Sequence, residues 1–165
     1  MDNDKLQADF IEIVEDNKKL IYKVSHMYCD QADDVKDLFQ DIISNLWTAY
    51  PNFQQKSKVS TWIYRVSLNT AITWLRESTK HSKRIEYTNW IPDMTNETDH
   101  TIDELYEQLY SAIDTLGNVD KAIILLFLDD TSYDEIAEII GLTKTNVATK
   151  ISRIKQKLKN HLSNN

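Results

Sequence analysis

Apolar residues return at helical spacing along most of this chain, and only two Gly and two Pro among its 165 residues interrupt them. A period near 3.6 is that of an α-helix with one buried face, and no stretch shows the alternation that a half-buried strand requires. The chain is thereby confined to an all-α fold with few tight turns. Its 41% hydrophobic residues supply material for real cores, and the length suits one domain or two small ones. No run approaches the roughly 20 apolar residues that cross a bilayer. The opening residues Met1, Asp2, Asn3 and Asp4 are acidic where a secretion signal would be basic. We expect a cytoplasmic protein without direct membrane insertion.

From Leu6 to Met27, the positions Leu6, Phe10, Ile13, Val14, Ile21 and Val24 predict one long helix or two consecutive ones, with a break near Asn17. After a polar turn, Asp30 to Asp33, a second strong pattern runs through Val35, Leu38, Phe39, Ile42, Ile43, Leu46 and Trp47. It should stop before Pro51, because proline disfavours helical backbone in the preceding residue. Asn52 to Lys58 reads as a loop, and Ser60 as the N-cap of a helix carrying Trp62, Ile63, Val66, Thr70, Trp74 and Leu75 to about Thr79. Ile63, Val66, Thr70 and Trp74 share a face, which puts Trp74 in the core. Trp62 and Tyr64 flank Ile63, so at least one of them should reach solvent or ligand. Between His81 and Thr101 polar residues prevail and the pattern lapses. The expectation is two small helical domains, residues 1–81 and 102–165, joined by a flexible acidic linker over 82–101.

Past the linker, Leu105, Leu109, Ile113 and Leu116 mark an amphipathic helix with Gly117 as its C-cap. Three short helices should follow, at about Val119 to Leu128, Tyr133 to Ile140 and Thr143 to His161, with Thr131 or Ser132 capping the middle one. Ala137 is small enough for two helices to cross closely, and Gly141 can take the positive φ that ends a helix. Val147, Ile151, Ile154 and Leu158 would pack the last helix back on its predecessor. This is a helix-turn-helix pattern, whose second helix enters the major groove with its N-terminal residues on base edges. Lys144, Thr145, Asn146, Thr149 and Lys150 occupy those positions, with Arg153 further along. A helical hairpin with a solvated lysine face is the competing reading. The lack of any acid from Gly141 to Lys159 weighs against it, because a helix stabilised only for itself would mix both signs.

Charge is segregated along the chain. The net charge is -7, yet thirteen of nineteen Lys and Arg lie between Lys56 and Arg84 or between Gly141 and Lys159, windows that hold one acid, Glu77. Clustered cations on helices are the footprint of phosphate-backbone binding. In the first window they stand beside Trp62, Tyr64 and Trp74, and aromatics next to cations are what single-stranded bases stack on. Asp34, Asp37 and Asp41 share a helical face, but no His, Ser or Gly-rich loop accompanies them for metal or general-acid chemistry. Gln40, Asp41, Ile43 and Trp47 interleave polar and apolar groups as protein interfaces do. The single Cys29 excludes an internal disulfide and reads as core packing, while His26, His81, His100 and His161 lie in separate segments. No metal, cofactor or catalytic residue is expected.

The run Asp37-Leu38-Phe39-Gln40-Asp41 through Leu46-Trp47, then Tyr50-Pro51-Asn52-Phe53 and Ser60 to Ala71, resembles the second conserved region of bacterial RNA polymerase sigma factors. Asp134-Glu135-Ile136-Ala137 with Gly141-Leu142-Thr143 and Val147 is similar to the fourth region. Nothing stands where primary sigma factors carry their first and third regions, so the resemblance is to the extracytoplasmic-function (ECF) subgroup. It implies that Asp37, Gln40, Asp41 and Trp47 dock on the clamp helices of core RNA polymerase. It also implies that Phe53, Lys56, Lys58 and Asn69 take a flipped base of the minus-ten element, next to the aromatics Trp62 and Tyr64. Arg65, Arg76, Lys80, Lys83 and Arg84 would hold the phosphate backbone, and Lys144, Thr145, Asn146, Thr149, Lys150 and Arg153 would read the minus-thirty-five element. An anti-sigma factor is a further partner that the resemblance implies. Gln54-Gln55 replaces the family's usual Arg-Gly and Val59 its Phe, departures that bear on the pocket and on promoter preference; Trp62-Ile63 stands for the paired tryptophans of primary members, and that single aromatic implies narrow promoter use.

The expected function is therefore a sigma factor, not an enzyme, that binds core polymerase, recognises a bipartite promoter and promotes DNA opening. The acids of the linker, Glu86, Asp93, Glu97 and Asp99, would imitate nucleic acid in the polymerase channel. A stand-alone helix-turn-helix regulator and a purely protein-binding helical adaptor are the alternatives.

Overall fold

Asn17 splits the first apolar stretch into two helices, α1 (Asn3–Asp16) and α2 (Lys18–Tyr28). Its side-chain amide donates to the Ile13 carbonyl at 2.8 Å, and its backbone N–H points to the carbonyls of Ile13 and Val14. Carbonyls released at the end of α1 thus find donors locally. The computed structural model describes residues 3–78 and 100–164, which form two helical units without a strand among the described residues.

In the first unit, α3 (Ala32–Ala49) leads through a 3-10 turn (Tyr50–Asn52) and a loop to α4 (Val59–Ser78). Pro51 lies inside that turn, so α3 ends two residues before it, as a proline demands. α4 packs against both α2 and α3. The core joins Ile21, Val24 and Tyr28 of α2 to Val35, Leu38, Ile42 and Leu46 of α3, and to Ile63, Leu68 and Ala71 of α4. α1 is held more lightly, with Phe10 its one buried residue.

Three sequence expectations fail here. Trp62, Ile63 and Tyr64 are all buried, at 8%, 0% and 7% exposure, so neither aromatic reaches solvent. From Thr61 to Tyr64 α4 is enclosed on every side, with Phe53 stacked on Trp62 at 4.6 Å between ring centroids and Tyr50 tilted against it at 6.2 Å. Further along, the buried face turns to Ser67, Leu68 and Ala71, leaving Trp74 half-buried on the flank rather than in the core. Small Ser67 and Ala71 allow the close approach of α4 to its neighbours. Ser60 is not the N-cap either: α4 already begins at Val59, and the Lys58 carbonyl accepts the Trp62 N–H.

The second unit comprises α5 (His100–Asp114), α6 (Asn118–Leu128), α7 (Tyr133–Ile140) and α8 (Lys144–Ser163). α6 is buried along Ala122, Ile123, Ile124, Leu125 and Leu126, the marks of a helix surrounded by others. It packs on α7 and α8, and α8 packs also on α5 and α7. Gly117 is not the C-cap of α5: α5 stops at Asp114, and Gly117 stands at φ -66° as the N-cap of α6. α5 begins at His100, inside the expected linker, while residues 82–99 of that linker lie outside the described residues.

Candidate nucleic-acid interface

The turn between α7 and α8 is built from local chemistry. The Ser132 hydroxyl accepts the Glu135 N–H at 3.3 Å while the Glu135 carboxylate accepts the Ser132 N–H at 3.3 Å, a reciprocal capping box. Gly141 closes α7 at φ +78°, and both its N–H and that of Leu142 donate to the Ala137 carbonyl. Two residues later Thr143 caps α8 by accepting the Asn146 N–H at 3.2 Å. Val147, Ile151, Ile154 and Leu158 anchor one face of α8. That anchorage leaves Lys144, Thr145, Asn146, Thr149 and Arg153 exposed, and Lys150 half-buried.

The cations of α8 are not all unpartnered. Lys150 Nζ lies 3.0 Å from Asp120 Oδ1 of α6, and Lys157 Nζ 3.8 Å from its other oxygen. Lys144 pairs with Asp134 at 2.9 Å, and the Lys155 ammonium sits 4.3 Å from the centroid of the Phe127 ring. Sequence spacing gives no hint of Asp120, because its partner Lys150 lies thirty positions away.

In the first unit, Lys56 and Lys58 are exposed in the loop after the 3-10 turn, and Phe53 is half-buried against Trp62. Gln55 takes φ +51°, a left-handed backbone that favours glycine, at the position where the family's Arg-Gly has given way to Gln54-Gln55. Arg65, Asn69 and Arg76 fall on one face of α4, the first half-buried and the others exposed. Lys80, Lys83 and Arg84 lie outside the described residues. The helix-turn-helix residues and the loop–α4 residues thus form two separate sets, one in each unit.

A third surface lies on α3. Val35, Leu38, Ile42 and Leu46 turn inward, which leaves Asp37, Gln40 and Asp41 outward on the opposite face, with Trp47 beside them at 38% exposure. Trp47 is braced edge-on by Phe10 of α1 at 5.0 Å, and Phe10 also touches the Tyr50 ring at 5.3 Å. Phe10 was read from the sequence only as a core position; this bridging contact between two helices is a tertiary feature. Cys29 is buried, and burial together with nearby Asp34 and Asp30 pushes its thiol up to about 12. It is core, not chemistry. Among the described residues no helix is long and apolar enough to cross a membrane.

Comparison with known proteins bears on these surfaces. Residues 13–81 match sigma-70 region 2 and residues 106–158 match sigma-70 region 4. The chain is 28% identical over 152 residues to RNA polymerase sigma factor SigV of Bacillus subtilis, covering 89% of this chain and 87% of that protein. It is 28% identical over 141 residues to the ECF RNA polymerase sigma-E factor of Escherichia coli, covering 78% and 74%. In fold it is similar to the sigma factor RpoE, solved with the anti-sigma factor NepR from Bartonella quintana, at a TM-score of 0.77 and 19% identity over 94% of this chain and 97% of that one. It is also similar to CnrH, solved with the cytosolic domain of CnrY, at 0.70 and 21% over 96% and 90%. With one sigma-70 region matched in each helical unit, and in the order the motifs predicted, the chain belongs to the sigma-70 family of RNA polymerase sigma factors, in its ECF group.

Proposed function

We propose that this chain docks on core RNA polymerase through the outward face of α3, recognises a bipartite promoter and promotes its opening. The observation that carries the reading is the coexistence of three surfaces in one chain: the α3 face, the basic loop and α4, and the exposed N-terminal half of α8. An operator-binding regulator needs only the last. Asp37, Gln40, Asp41 and Trp47 form the docking face. Phe53, Lys56, Lys58 and Asn69 receive a base unstacked from the minus-ten element, with Arg65, Arg76, Lys80, Lys83 and Arg84 on its phosphates. Trp62 acts from beneath, as the wall on which Phe53 rests, and Tyr64, also buried, supports the same part of α4 from within. Lys144, Thr145, Asn146, Thr149, Lys150 and Arg153 read the minus-thirty-five duplex.

Opening is favoured when a base lost from the duplex gains a fitted site and stacking, worth about 1–3 kcal/mol per stacked base. No bond is made or broken by the chain. It works where core polymerase works, in the cytoplasm, and an anti-sigma factor is a further partner, as NepR is in the complex with RpoE. Transcription starts mapped after induced expression supply a promoter for run-off transcription and gel shifts with purified components. Initiation there should require core enzyme and this protein together, and Arg153→Glu should weaken promoter binding. A chain that neither binds core polymerase nor redirects initiation, or that binds its site equally well without polymerase, refutes the proposal.

A further inference from the structure

Glu77 is the one acid in the basic window from Lys56 to Arg84, and its position in the fold is specific. Between α3 and α4 the first unit opens a cleft of about 420 Å³, lined by Asp41 and Ser44 on the α3 side and by Asn69, Thr73, Trp74 and Glu77 on the α4 side. The helices are tied together at this cleft by Asn45 Nδ2 donating to Thr70 Oγ1 at 3.0 Å. Neither Asp41 nor Glu77 has an ion-pair partner among the described residues. Trp74, left out of the core, supplies an aromatic surface to the same space.

The lining selects its ligand by charge and shape. Two carboxylates repel a phosphate, so a nucleotide entering here would bring like charge against like. A lysine ammonium would satisfy the charge but offers no plane to lie on the indole. A guanidinium does both: its N–H groups form a rigid fork suited to carboxylates, and its face stacks on Trp. The hydroxyls of Ser44 and Thr73 can accept the N–H groups left over.

We propose that this cleft receives an arginine side chain of the core polymerase, extending the docking surface from α3 onto α4. The inference rests on the reading of the α3 face as the docking surface, with Asp41 common to both. It gives Trp74 and Glu77, which lie on the DNA-binding helix, a role in holding the protein partner. Asn69 lines the same cleft, so the docking surface and the minus-ten site meet there.

The test uses the full chain and core polymerase in a fluorescence binding assay. Glu77→Gln and Trp74→Leu, each checked for an unchanged helical spectrum, should each weaken core binding about tenfold, the loss expected when a charge-assisted contact is removed. N-acetylarginine amide should shift one indole N–H resonance of the wild type, N-acetyllysine amide much less, and Glu77→Gln should abolish the difference. If Asp37→Ala weakens core binding while Glu77→Gln and Trp74→Leu bind like wild type, the arginine site is overturned and the docking face stands. If the wild type itself does not bind core polymerase, the docking reading fails. If both cleft variants bind core normally but lose promoter opening, the occupant is a nucleobase and the inference is wrong.

Discussion

Phe10 is the main fastening of α1, and Phe10→Ala should release that helix without unfolding the unit beneath it. Its ring is 6% exposed and lies against Trp47 and Tyr50. Truncating a buried Phe costs about 3–5 kcal/mol, and each aromatic pair accounts for about 0.5–1.5 kcal/mol of that. No other residue of α1 is buried, and a helix of 14 residues is marginal on its own. The loss should therefore appear as local opening, more frequent by roughly two to four orders of magnitude at about 1.4 kcal/mol per tenfold. Native-state hydrogen exchange reads this directly: amides of residues 3–16 should lose protection while those of Ile63 to Ala71 keep theirs. Unchanged exchange in α1 would show that Phe10 does not hold it. An equal loss in α4 would show that α1 is not separable, and either result defeats the reasoning.

Other substitutions probe the two units independently. Ser67 is fully buried and its Oγ has no hydrogen-bond partner among the described residues, so Ser67→Ala should raise stability by about 1–3 kcal/mol; a lower urea midpoint would contradict this. Gly141→Ala meets no atom within 4 Å, so its cost is that of the φ +78° backbone alone. That cost is about 1–2 kcal/mol, and Gly141→Asn should lose less in the same denaturation assay. Burial lowers the pKa of His26 below 6.5, so the folded chain favours the neutral ring. The stability it contributes is present above pH 6.5 and is lost as pH falls through the folded value. His26→Gln should flatten the stability profile on the acid side of pH 6.5 and change little at higher pH. A profile as steep as the wild type's would exclude His26 as the cause.

The most legible part of the chain was the stretch from Thr131 to Thr143. Ser132 and Gly141 are local signals, each acting within a few residues of itself, and α7 begins and ends where they predict, whereas Thr143, read as the first residue of the last helix, is its cap. The Asn17 break was legible for the same reason. Gly117 misled because a glycine after an amphipathic run can close one helix or open the next, and only the backbone decides. Trp62, Tyr64 and Trp74 misled more deeply. A single periodic stripe describes a helix with one covered face, whereas α4 is enclosed all round at its start and on one side later. The outward face of α3 followed from its periodicity, but the Asp120 contacts and the cleft at Trp74 depend on which helices meet.

Asp120 gives α8 a resident counter-anion. Were Lys150 or Lys157 to move from that carboxylate to a phosphate, as the proposed role of α8 requires of Lys150, the DNA would shed a condensed cation but the vacated acid would attract one in return. The net ion release is then smaller than the number of cations on the helix would suggest, although each neutralised phosphate ordinarily adds about 0.9 to the logarithmic salt slope. Binding through this helix should accordingly weaken less steeply with added salt, keeping more of its strength when intracellular ion concentrations rise.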